Sequence, residues 1–324
     1  MMDFYIKQVI IHQFRPDDTE LHLATSPIEL TPRLDDYFRK KLSRVFSEEA
    51  KRGYFEANSP FFAKIEDDLA VSSQTIAKLW REAFVISENQ KTNDLIFIQF
   101  DKDGVPYFAF LRLALREHLA HIIGEESPIQ ITQNNLPSAA QTPDEALVVN
   151  LTSRQYYLIE KRIKHNGSFA NYFSENLLQV TPKQSVKKSI KTLEHTAQKI
   201  AENFNQDDFT FQSKMKSVIY DHLEGEEELS PEKLADQLFD SNLTARLSFV
   251  DQVKETIPEP INISDIDHSR QTKKLENQKL SLSNGIEMLV PTRVFQDAES
   301  VEFIQNQDGT YSILIKNIQD IQSK

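Results

Sequence analysis

Three of the seven glycines in the chain follow an Asp or an Asn between two segments that alternate like β-strands. The dipeptides are Asp103-Gly104, Asn284-Gly285 and Asp308-Gly309. Such dipeptides adopt the positive φ angles that a tight hairpin turn requires, so each predicts an antiparallel hairpin. The sequence has no G-x-G-x-x-G, Walker-type or G-x-S-x-G segment. It therefore does not supply the glycine-rich loop by which nucleotide-binding enzymes approach a phosphate.

The hydrophobic pattern changes twice along the chain and predicts an α+β fold. Residues 1–163 mix strand alternation with amphipathic helices, which indicates an N-terminal α+β domain. Apolar residues then recur at helical spacing over 168–256, and antiparallel β-hairpins follow over 259–318. A chain of 324 residues is too long for one core of usual size. We therefore expect a second, C-terminal domain over 164–324.

Two helices in the second half are predicted in detail. In the segment TPKQSVKKSIKTLEHTAQK, residues 181–199, Thr181 is expected to cap a helix that begins at Pro182, with Gln184 completing a capping box. Five apolar residues share one side of this helix and leave its lysines mostly toward water: Val186, Ile190, Leu193, Ala197 and Ile200. An aromatic helix is expected just before it, from the spacing of Phe169, Tyr172, Phe173 and Leu177.

Charge is distributed unevenly in a chain whose formal net charge is −12. Residues 151–200 hold nine Lys and Arg against three Asp and Glu, whereas residues 201–260 hold five against fourteen. An acidic total argues against a protein that packages DNA by sheer excess of basic residues. The basic segment and the acidic segment beside it are the strongest compositional signals for function.

Three basic clusters are candidates for contact with DNA phosphates, because lysine and arginine neutralise the backbone without reading its sequence. The candidate residues are Lys161, Arg162, Lys164, Lys183, Lys187, Lys188, Lys191, Arg270, Lys273 and Lys274. The competing interpretations are a strand end with extended lysines near 161–164, and the solvated face of an ordinary helix near 183–191. Sequence alone does not place the clusters on one face.

Other candidate sites have weaker support. His118 and His121 form an H-x-x-H pair that could bind a metal from one helix face, but the preceding residues are strand-like and no third ligand has a matching spacing. The acidic run 224–240 could bind a basic partner, or it could be a solvated loop before a helix. Without cysteine, thiolate sites and disulfides are excluded. We therefore expect no metal, no cofactor and no catalytic residue.

The sequence also predicts a cytoplasmic protein. The N-terminal segment MMDFYIKQVIIHQF is too short and too interrupted for a signal peptide. No stretch approaches the roughly 20 apolar residues that a transmembrane helix needs. The absence of cysteine fits a reducing compartment.

The order of segments resembles the bacterial 37-kilodalton nucleoid-associated protein family over nearly the full length. The likeness rests on an opening strand IKQVIIHQF, a central block EALVVNLTSRQYYLIEKRI followed by GSFANYFSENLL, and closing hairpins KLSLSNGIEMLVPTRVF and VEFIQNQDGTYSILIKNI. The resemblance implies a non-enzymatic protein of the bacterial nucleoid that binds double-stranded DNA directly or through partners. It carries no residue-level site.

Two functional hypotheses follow. In the first, the basic clusters bind double-stranded DNA weakly and without strong sequence preference. In the second, the protein is an interaction scaffold that reaches the nucleoid through DNA-processing proteins, as the acidic segment suggests. Exposed hairpins and amphipathic helices are also compatible with a homodimer.

Overall fold

The computed structural model describes residues 3–18, 20–84, 91–121, 129–165, 167–205, 209–225, 228–263 and 267–320. The chain divides into two compact units, Met1–Ser185 and Val186–Lys324, which we call unit 1 and unit 2. Each unit has its own sheets and helices.

Unit 1 is built on a six-stranded antiparallel sheet accompanied by two short strand pairs. Its strands are β1 (Phe4–Phe14), β2 (Lys51–Tyr54), β3 (Asn93–Lys102), β4 (Val105–Ala114), β5 (Arg116–His121), β6 (Ile129–Asn135), β7 (Glu145–Asn150), β8 (Gln155–Ile159), β9 (Ile163–His165) and β10 (Ser168–Ala170). The large sheet has the order β1-β3-β4-β7-β8-β2, while β5 pairs with β6 and β9 pairs with β10.

The first predicted hairpin is confirmed at the centre of this sheet. Strands β3 and β4 pair antiparallel through ten residue pairs, ending at Lys102 opposite Val105. Between them Asp103 and Gly104 have φ angles of 53° and 77°. Two consecutive positive φ values give a turn whose twist matches that of the strands, which is why Asp-Gly serves here.

Helices cover both faces of the large sheet. Helix α1 (Pro32–Val45) begins where the Thr31 hydroxyl accepts a hydrogen bond from the Leu34 amide, as the Thr-Pro pair predicts. Phe46, directly after α1, lies 4.6 Å from the ring of Tyr157. The adjacent Tyr156 points to the opposite face and packs in the core beneath helix α2 (Leu69–Phe84). A short 3₁₀ turn (Phe62–Lys64) precedes α2.

A buried polar network crosses the core of unit 1. The Arg112 guanidinium donates from Nε to Glu145 Oε2 at 2.7 Å and from Nη1 to Asn93 Oδ1 at 2.8 Å. The Tyr172 hydroxyl donates to the same Glu145 oxygen and accepts a hydrogen bond from the Trp80 indole at 3.1 Å. Burial, and then the charge of Glu145, raise the pKa of Tyr172, so its hydroxyl remains a donor.

The predicted helix over 168–178 is wrong at its start. Residues Ser168–Ala170 form strand β10, and Phe169 is 59% exposed rather than buried. A π-helical turn follows over Phe173–Leu178 and places Tyr172, Phe173 and Leu177 in the core of unit 1. Phe169 falls in helical phase with the other aromatic residues, but the pairing of β10 with β9 determines its conformation. The first compact unit of the structure ends at Ser185. The predicted domains 1–163 and 164–324 concern segments that fold independently, and they stay a prediction.

Unit 2 combines helices with two β-hairpins. Its helices are α3 (Val186–Asn203), α4 (Phe209–Glu224), α5 (Pro231–Leu238), α6 (Leu243–Thr256), α7 (Ser269–Leu275) and the single turn α8 (Thr292–Phe295). Its strands are β11 (Asn277–Ser281), β12 (Glu287–Pro291), β13 (Val301–Gln305) and β14 (Tyr311–Ile315). The two predicted hairpins are confirmed as β11–β12 and β13–β14, with Gly285 and Gly309 at φ 89° and 82° in their turns. Antiparallel sheets with largely separate helices confirm the α+β class.

Helix α3 starts five residues after the predicted cap. Thr181, Pro182 and Gln184 precede the helix, which begins at Val186. The backbone of Lys183 is instead held by Arg52 of β2, whose carbonyl accepts from the Lys183 amide at 2.8 Å. This bridge keeps the residue extended, so the local capping signal gives way to a long-range backbone pairing.

Candidate nucleic-acid interface

The predicted basic residues divide between the two units. Lys161, Arg162, Lys164 and Lys183 belong to unit 1, whereas the remaining six belong to unit 2. Lys161, Arg162 and Lys164 lie at or beside β9, whereas Lys183 lies opposite Arg52 of β2. All four residues are exposed.

Lys161 and Arg162 are already held by other residues of unit 1. Lys161 Nζ lies 2.8 Å from Asp144 Oδ1, and Arg162 Nη2 donates to the Phe169 carbonyl at 3.1 Å. Burial opposes ionisation of Asp144, but hydrogen bonds from Lys161 and the Ala114 amide outweigh it and hold the pKa of Asp144 below its ordinary value. A phosphate at this cluster would compete with these contacts.

The lysines of α3 fall on two neighbouring stripes of the helix. Lys187 and Lys191 are in line with Glu194 and Gln198, at the i, i+4, i+7 and i+11 spacing that gives one face. Lys188 lies about 100° further round, opposite the buried side, and is exposed. The solvated-face interpretation therefore fits Lys188 best, and the Lys187–Lys191 stripe leads toward a groove.

That groove, which we call the lysine groove, lies within unit 2 and has a volume of about 430 Å³. Helices α3, α4 and α7 and strand β11 supply its walls. The lining residues are Glu194, Gln198, Gln212, Met215, Lys216, Lys274, Leu275, Asn277, Gln278 and Lys279. Gln278 is anchored by the Ser213 hydroxyl at 2.5 Å and by the Ser217 hydroxyl at 3.2 Å, which ties β11 to α4 at the base.

Three lysines act on one carboxylate of the lysine groove: Lys216 and Lys274 line the groove, and Lys191 lies on α3 outside its lining. Burial raises the pKa of Glu194, while the positive charges of Lys274, Lys216 and Lys191 act in the opposite direction. Within the part of the chain that the structure describes, these three lysines form no ion pair with a carboxylate oxygen within 4.0 Å. Lys279, by contrast, pairs with Glu287 at 2.9 Å. The groove therefore retains an excess of positive charge.

The structure brings together parts of two predicted clusters and omits other members. Lys191 of the 183–191 cluster and Lys274 of the cluster Arg270, Lys273 and Lys274 act on the same carboxylate. Arg270 and Lys273 are exposed on α7, but they do not line the groove. Lys183 belongs to unit 1 and is not on α3.

Sequence reasoning missed Lys216. It lies on α4 in the segment 201–260, and the net negative charge of that segment gives no indication of a basic site. A search for lysines on the exposed faces of neighbouring helices, rather than for runs of positive charge, would have included it.

A second cavity, of about 800 Å³, lies in unit 1 beside the buried network. Its charged lining residues are Lys91, Arg112, Arg116, Glu117 and Asp144. Arg112 is already bonded to Glu145, and Asp144 to Lys161. Opposite charges are thus interspersed in this cavity, unlike in the lysine groove.

The histidine pair does not form a helical metal site. His118 and His121 lie on strand β5, so the shared helix face that would have brought them together does not exist. Among the described residues, no group of three or more His, Cys, Asp and Glu side chains is placed to hold a metal ion. The described chain also has no helix that is both long and apolar enough to span a membrane.

The fold and the site define a class of protein. It is an α+β protein that has a basic groove between helices and no recognisable catalytic motif. Within that class, the family model described as nucleoid-associated protein YejK matches residues 10–321, and the chain belongs to this family. A search of curated proteins finds no match.

Proposed function

We propose that this protein associates with the bacterial nucleoid by binding double-stranded DNA weakly, without strong sequence specificity, through the lysine groove. The observation that carries the proposal is that Lys216 and Lys274 line one groove, and that Lys191 of a third helix acts on the same Glu194 carboxylate, without close ion pairs. Cations held apart from carboxylates are available for phosphate oxygens, and the family membership gives DNA as the expected partner.

Phosphate contact, rather than base reading, is the chemistry these residues support. Lysine ammonium groups act as point charges and carry no bidentate code for a base pair. The number of contacts is small, Glu194 places a negative charge in the same groove, and the chain as a whole has a net charge of −12. Binding is therefore expected to be weak and strongly salt-dependent.

The test is a binding titration on a short duplex of random sequence, at several salt concentrations, by fluorescence anisotropy. The variant Lys191→Glu/Lys216→Glu/Lys274→Glu should lose detectable binding at the salt concentration where the wild type binds. A matched control replaces Lys199, Lys233 and Lys254, three exposed unit 2 lysines that do not line the groove, with glutamate.

Equal loss in both triple variants would show that net charge alone matters and would remove the groove from the proposal. A third variant, Lys161→Glu/Arg162→Glu/Lys164→Glu, tests unit 1 separately. If it alone abolishes binding, the interface lies at the β9–β10 pair, where Lys161 must exchange Asp144 for a phosphate.

We also propose that the protein acts without catalysis, because its sequence has no G-x-G-x-x-G, Walker-type or G-x-S-x-G motif. A nuclease assay with added divalent metal checks this. DNA turnover by the purified protein, retained after further purification, would contradict it.

A second candidate function is a scaffold recruited through DNA-processing proteins. It is favoured by Leu243 and Leu247, which are one turn apart on α6, are more than half exposed and lie in the acidic segment. Under this alternative, Leu243→Ser/Leu247→Ser would abolish capture of such a protein while the lysine groove variant would retain it. The reverse pattern favours direct DNA binding.

A further inference from the structure

We propose that two copies of this chain associate through strand β14, which pairs antiparallel with β14 of the second copy. This strand is one of only two in its sheet, since β13 and β14 pair with each other alone among the described strands. One face of the hairpin packs against Phe209 and Phe295, and a further strand on its open edge would extend this apolar face and stabilise the sheet.

The outer edge of β14 has backbone groups ready to pair. At one end of the hairpin, the Lys316 amide donates to the Ser300 carbonyl at 2.9 Å, and at the other the Asn306 amide donates to the Thr310 carbonyl at 2.8 Å. Antiparallel ladders alternate between bonded and non-bonded pairs. Even-numbered residues of β14 therefore bond to β13, and the amides and carbonyls of Tyr311, Ile313 and Ile315 point outward.

Nothing in the described part of the chain covers this edge. No described backbone or side-chain group makes a hydrogen bond to the outward amides or carbonyls of Tyr311, Ile313 and Ile315. Tyr311, Leu314 and Ile315 are each about half exposed. An exposed apolar edge strand of this kind is a template for another strand.

A second copy is the occupant that the charges select. The β14 edge has Asp308 before it and Lys316 after it. Antiparallel self-pairing centred on Ile313 places Lys316 of each copy opposite Thr310 of the other and diagonal to Asp308, whereas parallel self-pairing would bring like charges together. Lys316 Nζ also lies 2.6 Å from Glu302 Oε2 on the same hairpin, and this ion pair joins the two strands at that end.

The alternation of bonded residues also determines the register. With Ile313 on the two-fold axis, it pairs with its own copy, and Tyr311 pairs with Ile315 of the other chain. All three outward residues then exchange hydrogen bonds. The side chains of Ile313, Phe303 and Val301, which form the inner side of the hairpin, continue across a four-stranded sheet.

A charge-pair experiment tests both the surface and the register, with mass measured by sedimentation at increasing protein concentration. Tyr311→Lys/Ile315→Lys places lysine opposite lysine twice and should yield a monomer where the wild type is a dimer. Tyr311→Glu/Ile315→Lys places glutamate opposite lysine twice and should restore the dimer. Both variants alter the same two half-exposed positions, so their folding costs are matched.

A cross-link provides a second measurement. The chain has no cysteine, so Ile313→Cys introduces a single thiol that meets its own copy across the axis. At the about 5.5 Å Cα separation of a bonded antiparallel pair, a disulfide can form. Oxidation should give a covalent dimer for Ile313→Cys and none for Ile304→Cys, which lies on β13 away from the axis.

A wild-type protein that stays monomeric at all concentrations tested would overturn the proposal. So would a dimer that persists in Tyr311→Lys/Ile315→Lys, or one that Tyr311→Glu/Ile315→Lys does not restore. DNA binding is not part of either measurement, so the result is independent of the lysine groove.

Discussion

The buried network of unit 1 and the lysine groove of unit 2 contain similar charged groups, but these groups are paired with each other in the network and left without a close pair in the groove. In unit 1 the Arg112 side chain is 9% exposed and bonds to a fully buried Glu145. In unit 2 the charges of Lys191, Lys216 and Lys274 act on a half-buried Glu194 without a close pair. A charge removed from water must be partnered, and its partner then holds the core in register. A charge left at a groove stays available to a ligand.

The largest expected effect comes from breaking the pair in unit 1. Arg112→Leu leaves the Glu145 carboxylate buried without its cation, and the free energy of unfolding should fall by about 3–5 kcal/mol. Urea unfolding measures it. Lys40→Met, which removes an exposed pair with Asp36, is the control and should cost no more than about 1 kcal/mol. Equal costs would show that the network contributes no more than a surface pair.

A second difference concerns pH. Burial lowers the pKa of His12 in unit 1 to about 4, below the 6.5 of an unfolded chain. The unfolded state therefore binds the extra proton first, and stability should fall as pH drops from about 6.5 to about 4, by about 1.4 kcal/mol per unit. His12→Asn should flatten this part of the stability profile. His195→Asn, at an exposed position of α3, should leave it unchanged.

The contribution of the lysine groove should be measurable in the salt dependence of the DNA-binding constant. Each phosphate contact contributes about −0.9 to the slope of log K against log salt. Lys191→Gln/Lys216→Gln/Lys274→Gln should therefore make the slope shallower by up to about 2.7 without changing the unfolding free energy. An unchanged slope with weaker binding would mean that the three lysines act through folding.

The smallest expected effect is a gain in affinity for DNA. Glu194→Gln removes the negative charge from the lysine groove and should strengthen DNA binding by about twofold, as expected for one partly exposed charge. Because burial raises the pKa of Glu194, the advantage over the wild type should shrink as pH falls and the wild-type carboxyl becomes protonated. Weaker binding by Glu194→Gln would assign this carboxylate a role in positioning the lysines.

Several structural features could be predicted from local sequence alone. The three glycine turns specify their hairpins because the positive φ that closes each turn falls on the glycine itself, joined by Asp103 in the first turn. Thr31 and Pro32 specify the start of α1 for a similar reason. The order of such segments sufficed to predict the α+β class and the family.

What the sequence did not determine depends on contacts between distant residues. Thr181 lost its capping role because Arg52 pairs with Lys183, and Phe169 left its predicted helix because β9 pairs with β10. Lys216 joined Lys191 and Lys274 only because α3, α4 and α7 pack together. Hairpin turns and caps are decided within a few residues, whereas the position of a charge in a groove is decided by the packing of elements far apart in the chain.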